Sequence, residues 1–258
     1  MPDLLEGRKL VKNYGSLRAV NDVSFKIGAG EILGYIGPNG SGKSTTVKML
    51  TGLLEPTAGE VLFDGRPIQK DLVEYKRQVG YVPEEPNLYL YMTAREYLDM
   101  VGALRGLPRP QRLAKIDALL YLFSLHPQRH IPLSSYSKGM RQKVLLISGI
   151  MHNPRLIIFD EPLSGLDVTA AFIFRKLVNS LAQQKKAVFY CSHVLEVVEK
   201  LCTHLLILKK GSVVATGATR EVIEALKQPT LEETFAQLTP EIDAGEIASD
   251  IAEVVCMT

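Results

Sequence analysis

The run Gly37-Pro38-Asn39-Gly40-Ser41-Gly42-Lys43-Ser44-Thr45 has the residue types and spacing needed to hold a chain of phosphates. It fits glycine, four residues, then Gly-Lys-Ser/Thr. The glycines let consecutive backbone N–H groups turn toward one anion with no Cβ in the way. Lys43 supplies a positive charge for the β- and γ-phosphates, and the Ser44 hydroxyl is a hard oxygen ligand suited to Mg²⁺. A second candidate is Asp160-Glu161, which ends the apolar run Leu156-Ile157-Ile158-Phe159. Asp160 is placed to hold Mg²⁺, directly or through water. Glu161, one residue on, points to the other side of the strand end and suits orienting or deprotonating an attacking water.

Such groups need elements to hold them. Glu31-Ile32-Leu33-Gly34-Tyr35-Ile36 is a short apolar run that reads as a buried strand before the loop. After Lys43, the residues Val47, Leu50 and Leu54 fall at helical spacing, so the loop opens a helix whose N-terminus also favours an anion. Further β-like runs span 19–27, 60–63, 80–83 and 187–191, and two more flank Lys210-Gly211-Ser212. Between 93 and 151 the pattern is helical. Thr93 and Glu96 form a capping-box pair ahead of an apolar face of Tyr97, Leu98, Val101 and Leu104. Leu113, Ile116, Leu119, Leu120 and Phe123 stay in phase over 112–123, and a third helix starts near Ser137. Helices are expected over 169–182, 195–201, 220–226 and 231–238. Alternating strands and helices imply an α/β fold with a largely parallel sheet.

Composition excludes several classes. The 258 residues carry 30 Lys plus Arg against 28 Asp plus Glu, a net charge of +2. That balance gives no strong field for steering nucleic acid. No stretch approaches the roughly 20 consecutive apolar residues that span a bilayer. Met1-Pro2-Asp3-Leu4-Leu5-Glu6 lacks the basic start and apolar run of a secretory signal. Cys191, Cys202 and Cys256 lack metal-ligand spacing and read as buried, reduced thiols of a cytoplasmic protein. From Pro240 onward the tail carries five acidic residues and no basic one, and reads as either an amphipathic helix or disorder.

Taken in order, the motifs resemble those of ATP-binding cassette (ABC) ATPases over nearly the whole chain, from about Glu6 to Leu238. Tyr136-Ser137-Lys138-Gly139-Met140 resembles the family's signature, keeping only Ser137 and Gly139 of its usual Leu-Ser-Gly-Gly-Gln. Ser164-Gly165-Leu166-Asp167 matches the D-loop, with Gly165 where the family usually has alanine. Cys191-Ser192-His193 matches the switch histidine. Glu84 stands where the family places the Q-loop glutamine; a carboxylate there only accepts hydrogen bonds and adds charge near the metal. Tyr14 matches the aromatic residue that stacks on adenine.

The resemblance implies a P-loop NTPase core with an N-terminal β-subdomain and an inserted α-helical subdomain. Residues 1–83 and 155–228 would form the RecA-like core with the β-subdomain, 84–154 the helical insertion, and 229–258 a C-terminal extension. The implied cofactors are ATP and Mg²⁺. Tyr14, residues 37–45 and Ser137, Lys138 and Gly139 would bind the nucleotide. Ser44, Glu84 and Asp160 would hold the metal, and Glu161, His193 and Lys43 would carry catalysis. The family forms head-to-tail dimers, homodimers or paired ATPase subunits, each ATP lying between the loop of one copy and the signature of the other. A separate integral-membrane permease docks beside the Q-loop, where Leu88-Tyr89-Leu90-Tyr91-Met92 is apolar and aromatic enough to line a groove. The chain would then sit on the inner face of the cell membrane, with no nucleic acid partner. The signature and Leu231-Glu232-Glu233-Thr234-Phe235 resemble those of ABC-2-type exporters. The competing reading is a non-transport ABC ATPase of DNA repair, chromosome maintenance or translation. Such relatives carry coiled-coil insertions, zinc hooks or two fused units, and this chain carries none of these. A small-molecule kinase conflicts with Glu161 beside Asp160 and with His193.

Overall fold

The computed structural model describes residues 3–225, 230–238 and 253–255. The acidic tail, apart from 253–255, and Cys256 lie outside the described residues, as does the last residue of the helix expected over 220–226. Two sheets organise the chain. The first is antiparallel, ordered β2-β1-β4-β5, from β1 (Asp3–Tyr14), β2 (Leu17–Gly28), β4 (Ala58–Phe63) and β5 (Arg66–Pro67). The second holds β3 (Ile32–Ile36), β6 (Val79–Val82), β7 (Leu156–Asp160), β8 (Ala187–Cys191), β9 (His204–Lys209) and β10 (Ser212–Ala218). Its order is β10-β9-β3-β8-β7-β6. Every pairing in it is parallel except β10 on β9.

Side chains alternate across this second sheet and divide the interior in two. Ile32, Ile36, Ile157, Phe159, Val188, Tyr190, Leu205 and Ile207 face one cluster. Leu33, Tyr35, Leu156, Ile158, Phe189, Cys191, Leu206 and Leu208 face the other. The second cluster is completed by the antiparallel sheet and by α1 (Lys43–Leu50) and α2 (Leu72–Gln78). The first is completed by α3 (Ala94–Leu104), α4 (Arg109–Leu122) and α5 (Lys138–Ile150), and by α6 (Val168–Gln183) and α7 (Leu195–Leu201). Two further helices follow, α8 (Thr219–Ala225) and α9 (Leu231–Leu238). The helical block thus shares one apolar core with the sheet.

Local chemistry explains the elements. Thr93 caps α3 as expected: its hydroxyl accepts from Glu96 N–H at 3.2 Å, and Thr93 N–H donates to the Glu96 carboxylate at 2.8 Å. Two sequence expectations fail here. Leu104 is not on the apolar face of α3 but 76% exposed. The buried seam runs Ala94, Leu98, Gly102, because α4 crosses at Gly102, where a Cβ would stand 2.5 Å from Arg112 Cδ. Leu54 lies beyond α1, which stops at Leu50; Gly52 then turns the chain with φ +66 against Leu72.

β1 escaped the sequence reading. Its apolar pairs Leu4-Leu5 and Leu10-Val11 are separated by Gly7-Arg8-Lys9, so period-2 alternation is lost. The structure accommodates the break as a bulge: Lys9 has φ 47, and the pairing with β2 shifts register between Gly7 and Leu10. The short β5 and the helix α2 (Leu72–Gln78) were also not expected from the sequence. The strands and helices that were expected lie within about two or three residues of their bounds, as element ends usually do.

Candidate active site

Five parallel strands, β9-β3-β8-β7-β6, run the same way, so their C-terminal ends share one edge. Ligands in such sheets sit outside the carboxyl ends of the strands. The loops leaving β3, β6, β7 and β8 supply residues 37–40, Gly42, Glu84, Glu161 and Ser192-His193 to one cleft of about 570 Å³, while the expected binding residue Ser41 is buried behind it. Gly37, Pro38, Asn39, Gly40, Gly42, Lys43, Ser44, Thr45, Glu84, Asp160, Glu161 and His193 all line it. These residues, far apart in sequence, are brought together in one place.

The loop is held from below. Ser41 carbonyl accepts from Gly211 N–H at 3.1 Å, and Gly211 carbonyl accepts from Asn21 N–H at 2.8 Å, tying it to the β9–β10 turn and to β2. Gly42 must be glycine: its φ is +100, and a Cβ would stand 2.3 Å from the Ala19 carbonyl oxygen. Behind the loop, Thr46 Oγ1 donates to Gly42 carbonyl at 3.1 Å and accepts from the buried Tyr35 hydroxyl at 2.9 Å. Lys43 Nζ donates to the carbonyls of Gly37 at 2.6 Å and Pro38 at 3.0 Å, so the ammonium curls over the strand-to-loop junction.

Asp160 and Glu161 part company at the end of β7. Asp160 faces the same side as Cys191, which lies opposite it on β8. Burial raises the Asp160 pKa; the Cys191 thiol as hydrogen-bond partner opposes this, and the charges of Glu84 and Glu161 reinforce it. The Cys191 thiol itself is pushed far up by burial and by the Asp160 and Glu161 carboxylates, so it is an inert, protonated group. Glu161 leaves the strand with φ 48, its N–H donating to Cys191 carbonyl at 2.9 Å. Its Oε1 lies 2.8 Å from His193 Nδ1, and its Oε2 accepts from Ser192 Oγ at 3.2 Å. Ser192 Oγ in turn accepts from Val194 N–H at 3.1 Å. The carboxylate is 8% exposed as a residue, and the imidazole is largely in solvent.

The donor set fits Mg²⁺ with a nucleotide triphosphate. Three carboxylates, Glu84, Asp160 and Glu161, share the cleft with the single ammonium of Lys43. A polyphosphate would be repelled by them unless a divalent cation entered with it. Hard oxygens on Ser44, Asp160 and Glu84 are the ligand type Mg²⁺ takes. Buried Ser41 Oγ has no hydrogen-bond partner among the described residues, an orphaned polar atom inside a phosphate-type loop.

Other sequence candidates stand elsewhere. Ser137 caps α5, accepting from Met140 N–H at 3.2 Å, but Ser137, Lys138 and Gly139 do not line the cleft. They pack on the D-loop of the same chain: a Cβ on Gly139 would stand 2.5 Å from Gly165 carbonyl oxygen, and one on Gly165 would stand 2.9 Å from Lys138 Cγ. Tyr14 also lies outside the cleft wall, 47% exposed, with Lys12 Nζ 5.7 Å from its ring centre. Three lining residues had no sequence signal as site residues: Ala19, Leu195 and Phe235. Phe235 shares an apolar face of α9 with Leu231, and only packing brings that face to the cleft.

Residues 20–164 match the ABC transporter family. The chain is 37% identical over 220 residues to the ABC transporter ATP-binding protein NatA of Bacillus subtilis, covering 85% of this chain and 89% of that one. It is 33% identical over 221 residues to the Nod factor export ATP-binding protein I of Burkholderia lata, covering 86% and 73%. A solved structure of an ATP-binding subunit of an ABC transporter superposes with a TM-score of 0.86 at 32% identity, covering 91% of this chain and 99% of that one. The phosphate loop, the paired carboxylates and the histidine that meets them therefore sit in an ABC ATPase fold, and the chain belongs to the ABC transporter family as an ATP-binding subunit that hydrolyses ATP.

Proposed function

We propose that two copies of this chain, or this chain and a paired subunit, close on two ATP molecules and thereby drive a separate membrane permease in export. The observation that carries this is the split between the two halves of the nucleotide-binding motifs. Residues 37–40 and 42–45, Asp160, Glu161 and His193 share one cleft, while Ser137, Lys138 and Gly139 are on a surface outside it. A second copy turned head to tail completes both sites at once, as isologous pairing requires. Hydrolysis then removes the γ-phosphate contacts that hold the halves together, converting chemistry into motion.

Within each site Lys43 and residues 37–45 bind the phosphates, and the exposed Tyr14 ring supplies a stacking face for adenine. Ser44, Asp160 and Glu84 hold Mg²⁺, which would offset phosphate charge. Glu161 orients and deprotonates water, and His193 holds Glu161 and contacts the γ-phosphate. In this reading 1–83 with 155–228 is the ATPase core, 84–154 the helical insertion and 229–258 a C-terminal extension.

The permease reading is supported by three features. No helix among the described residues is long and apolar enough to cross a membrane. Tyr89, Leu90 and Tyr91, soon after Glu84 in the chain, are 53%, 40% and 79% exposed, an uncovered aromatic patch. The likeness to a Nod factor export protein favours export. The chain would then lie on the inner face of the membrane through its partner. Affinity purification of the tagged chain from detergent-treated native membranes should recover an integral-membrane protein whose presence alters ATPase rate. Recovery of no such protein, with ATPase activity stimulated by nucleic acid, would overturn the proposal.

A further inference from the structure

We infer that Phe235, on the C-terminal helix α9, is a positioning residue of the hydrolytic site that keeps His193 on Glu161. This rests on the reading of Glu161 and His193 as the water-orienting pair. His193 is largely in solvent, and the contact recorded for its ring is the one to Glu161 at 2.8 Å. Among the described residues Glu161 is the polar partner of the imidazole, so whether the ring reaches it depends on the backbone of 192–195. That backbone leads directly into α7, which has only seven residues and no side-chain cap at Val194. So short a helix is unstable without tertiary packing.

The packing comes from α9. Leu231 is fully buried in the cluster that holds Val197, Val198 and Leu201 of α7. Its N–H, at the start of α9, donates to Glu199 Oε2 at 2.9 Å. Thr234, fully buried, turns its hydroxyl back to Thr230 carbonyl at 2.9 Å. One turn past Leu231, Phe235 lies on the same face. There its half-buried ring forms a wall of the nucleotide cleft together with Leu195, the first residue of α7, two positions from His193. The ring and Leu195 both pack against the same apolar cluster. Removing the ring takes apolar packing from the cluster that Leu195 also packs against, which frees the start of α7, and with it His193. Misplacing a catalytic group by about 1 Å can cost about 100-fold in rate.

The test compares Phe235→Ala and Phe235→Leu with the wild type. Phe235→Ala should lower kcat for ATP hydrolysis about tenfold or more, while the Kd for a fluorescent ATP analogue stays within about twofold. Phe235→Leu, which refills the apolar site, should recover most of the rate. In nucleotide-free protein, the ¹⁵N spectrum of the His193 ring should lose in Phe235→Ala, and regain in Phe235→Leu, the signature of a hydrogen-bonded Nδ1. An unchanged His193 spectrum, or a loss that falls on nucleotide affinity instead of kcat, would overturn the inference. The spectrum reads without turnover, so a wild-type chain that failed to hydrolyse ATP would refute the catalytic reading and leave this comparison decisive.

Discussion

His193 Nδ1 stands 2.8 Å from Glu161 Oε1, and Ser192 Oγ donates to the other oxygen of the same carboxylate at 3.2 Å. Both oxygens of Glu161 are therefore oriented before any substrate binds, by two consecutive residues at the end of β8. A carboxylate fixed in this way suits proton abstraction from a water, since geometry and not binding strength limits the step.

Glu161→Gln keeps the size of the side chain and removes its basicity. ATP hydrolysis should fall by about 10²–10⁴-fold with ATP affinity retained. The variant should also trap the ATP-bound dimer, visible by size-exclusion chromatography with and without ATP. Turnover near the wild-type rate would remove Glu161 as the base.

Glu84 raises the charge density around Asp160 and contributes to its raised pKa. Glu84→Gln restores an amide, which donates as well as accepts and carries no charge. The Mg²⁺ concentration for half-maximal ATPase should rise about threefold to tenfold, and Asp160 should ionise more easily. A titration of ATPase rate against Mg²⁺ that matches the wild type would show that Glu84 does not contact the metal's environment.

Gly165 carries φ +79 with Lys138 Cγ where a Cβ would go. Gly165→Ala should cost about 2 kcal/mol, part from the left-handed backbone and part from the clash. Adding Lys138→Ala removes only the clash, so the double variant should recover about half by urea denaturation. Full recovery would show that backbone strain contributes nothing; no recovery would show that the two residues do not meet.

His152 gives a pH signature. Its Nε2 faces Val79 carbonyl at 3.1 Å. Burial, with help from the nearby Arg105 and Lys115 charges, lowers its pKa from 6.5 to about 4. Between those values the unfolded chain binds a proton that the native chain refuses. This contribution to stability is therefore present above pH 6.5 and lost as pH falls toward 4. His152→Gln does not titrate, so the stability difference between wild type and variant should shift against the wild type as pH falls through that window. A difference independent of pH from 7 to 4 would disprove the assignment.

Much of the site was legible because its chemistry is local. Residues 37–45 carry their own glycines, cation and hydroxyls, and the strand before and helix after them follow from an apolar run and helical spacing. The same holds for Ser137 and Thr93, whose caps are formed with residues three positions on. Asp160-Glu161 and Ser192-His193 were readable as strand ends, and parallel strands place such ends on one edge. By contrast, β1 depends on a bulge at Lys9 that only its two neighbours stabilise, and the burial of Gly102 in place of Leu104 depends on where α4 crosses.

Taken by itself, the sequence determined that this chain is an ATP-binding ABC ATPase, because each motif that carries the resemblance lies within a few residues. Only the tertiary structure decided which side chains meet. Glu161 and His193 are joined because β7 and β8 are neighbours in one parallel sheet. Lys138 and Gly139 lie on Gly165 and not on the phosphate loop, and Phe235 reaches the cleft because α9 docks on α7. Such contacts arise from close packing between distant segments, which leaves no local spacing to read.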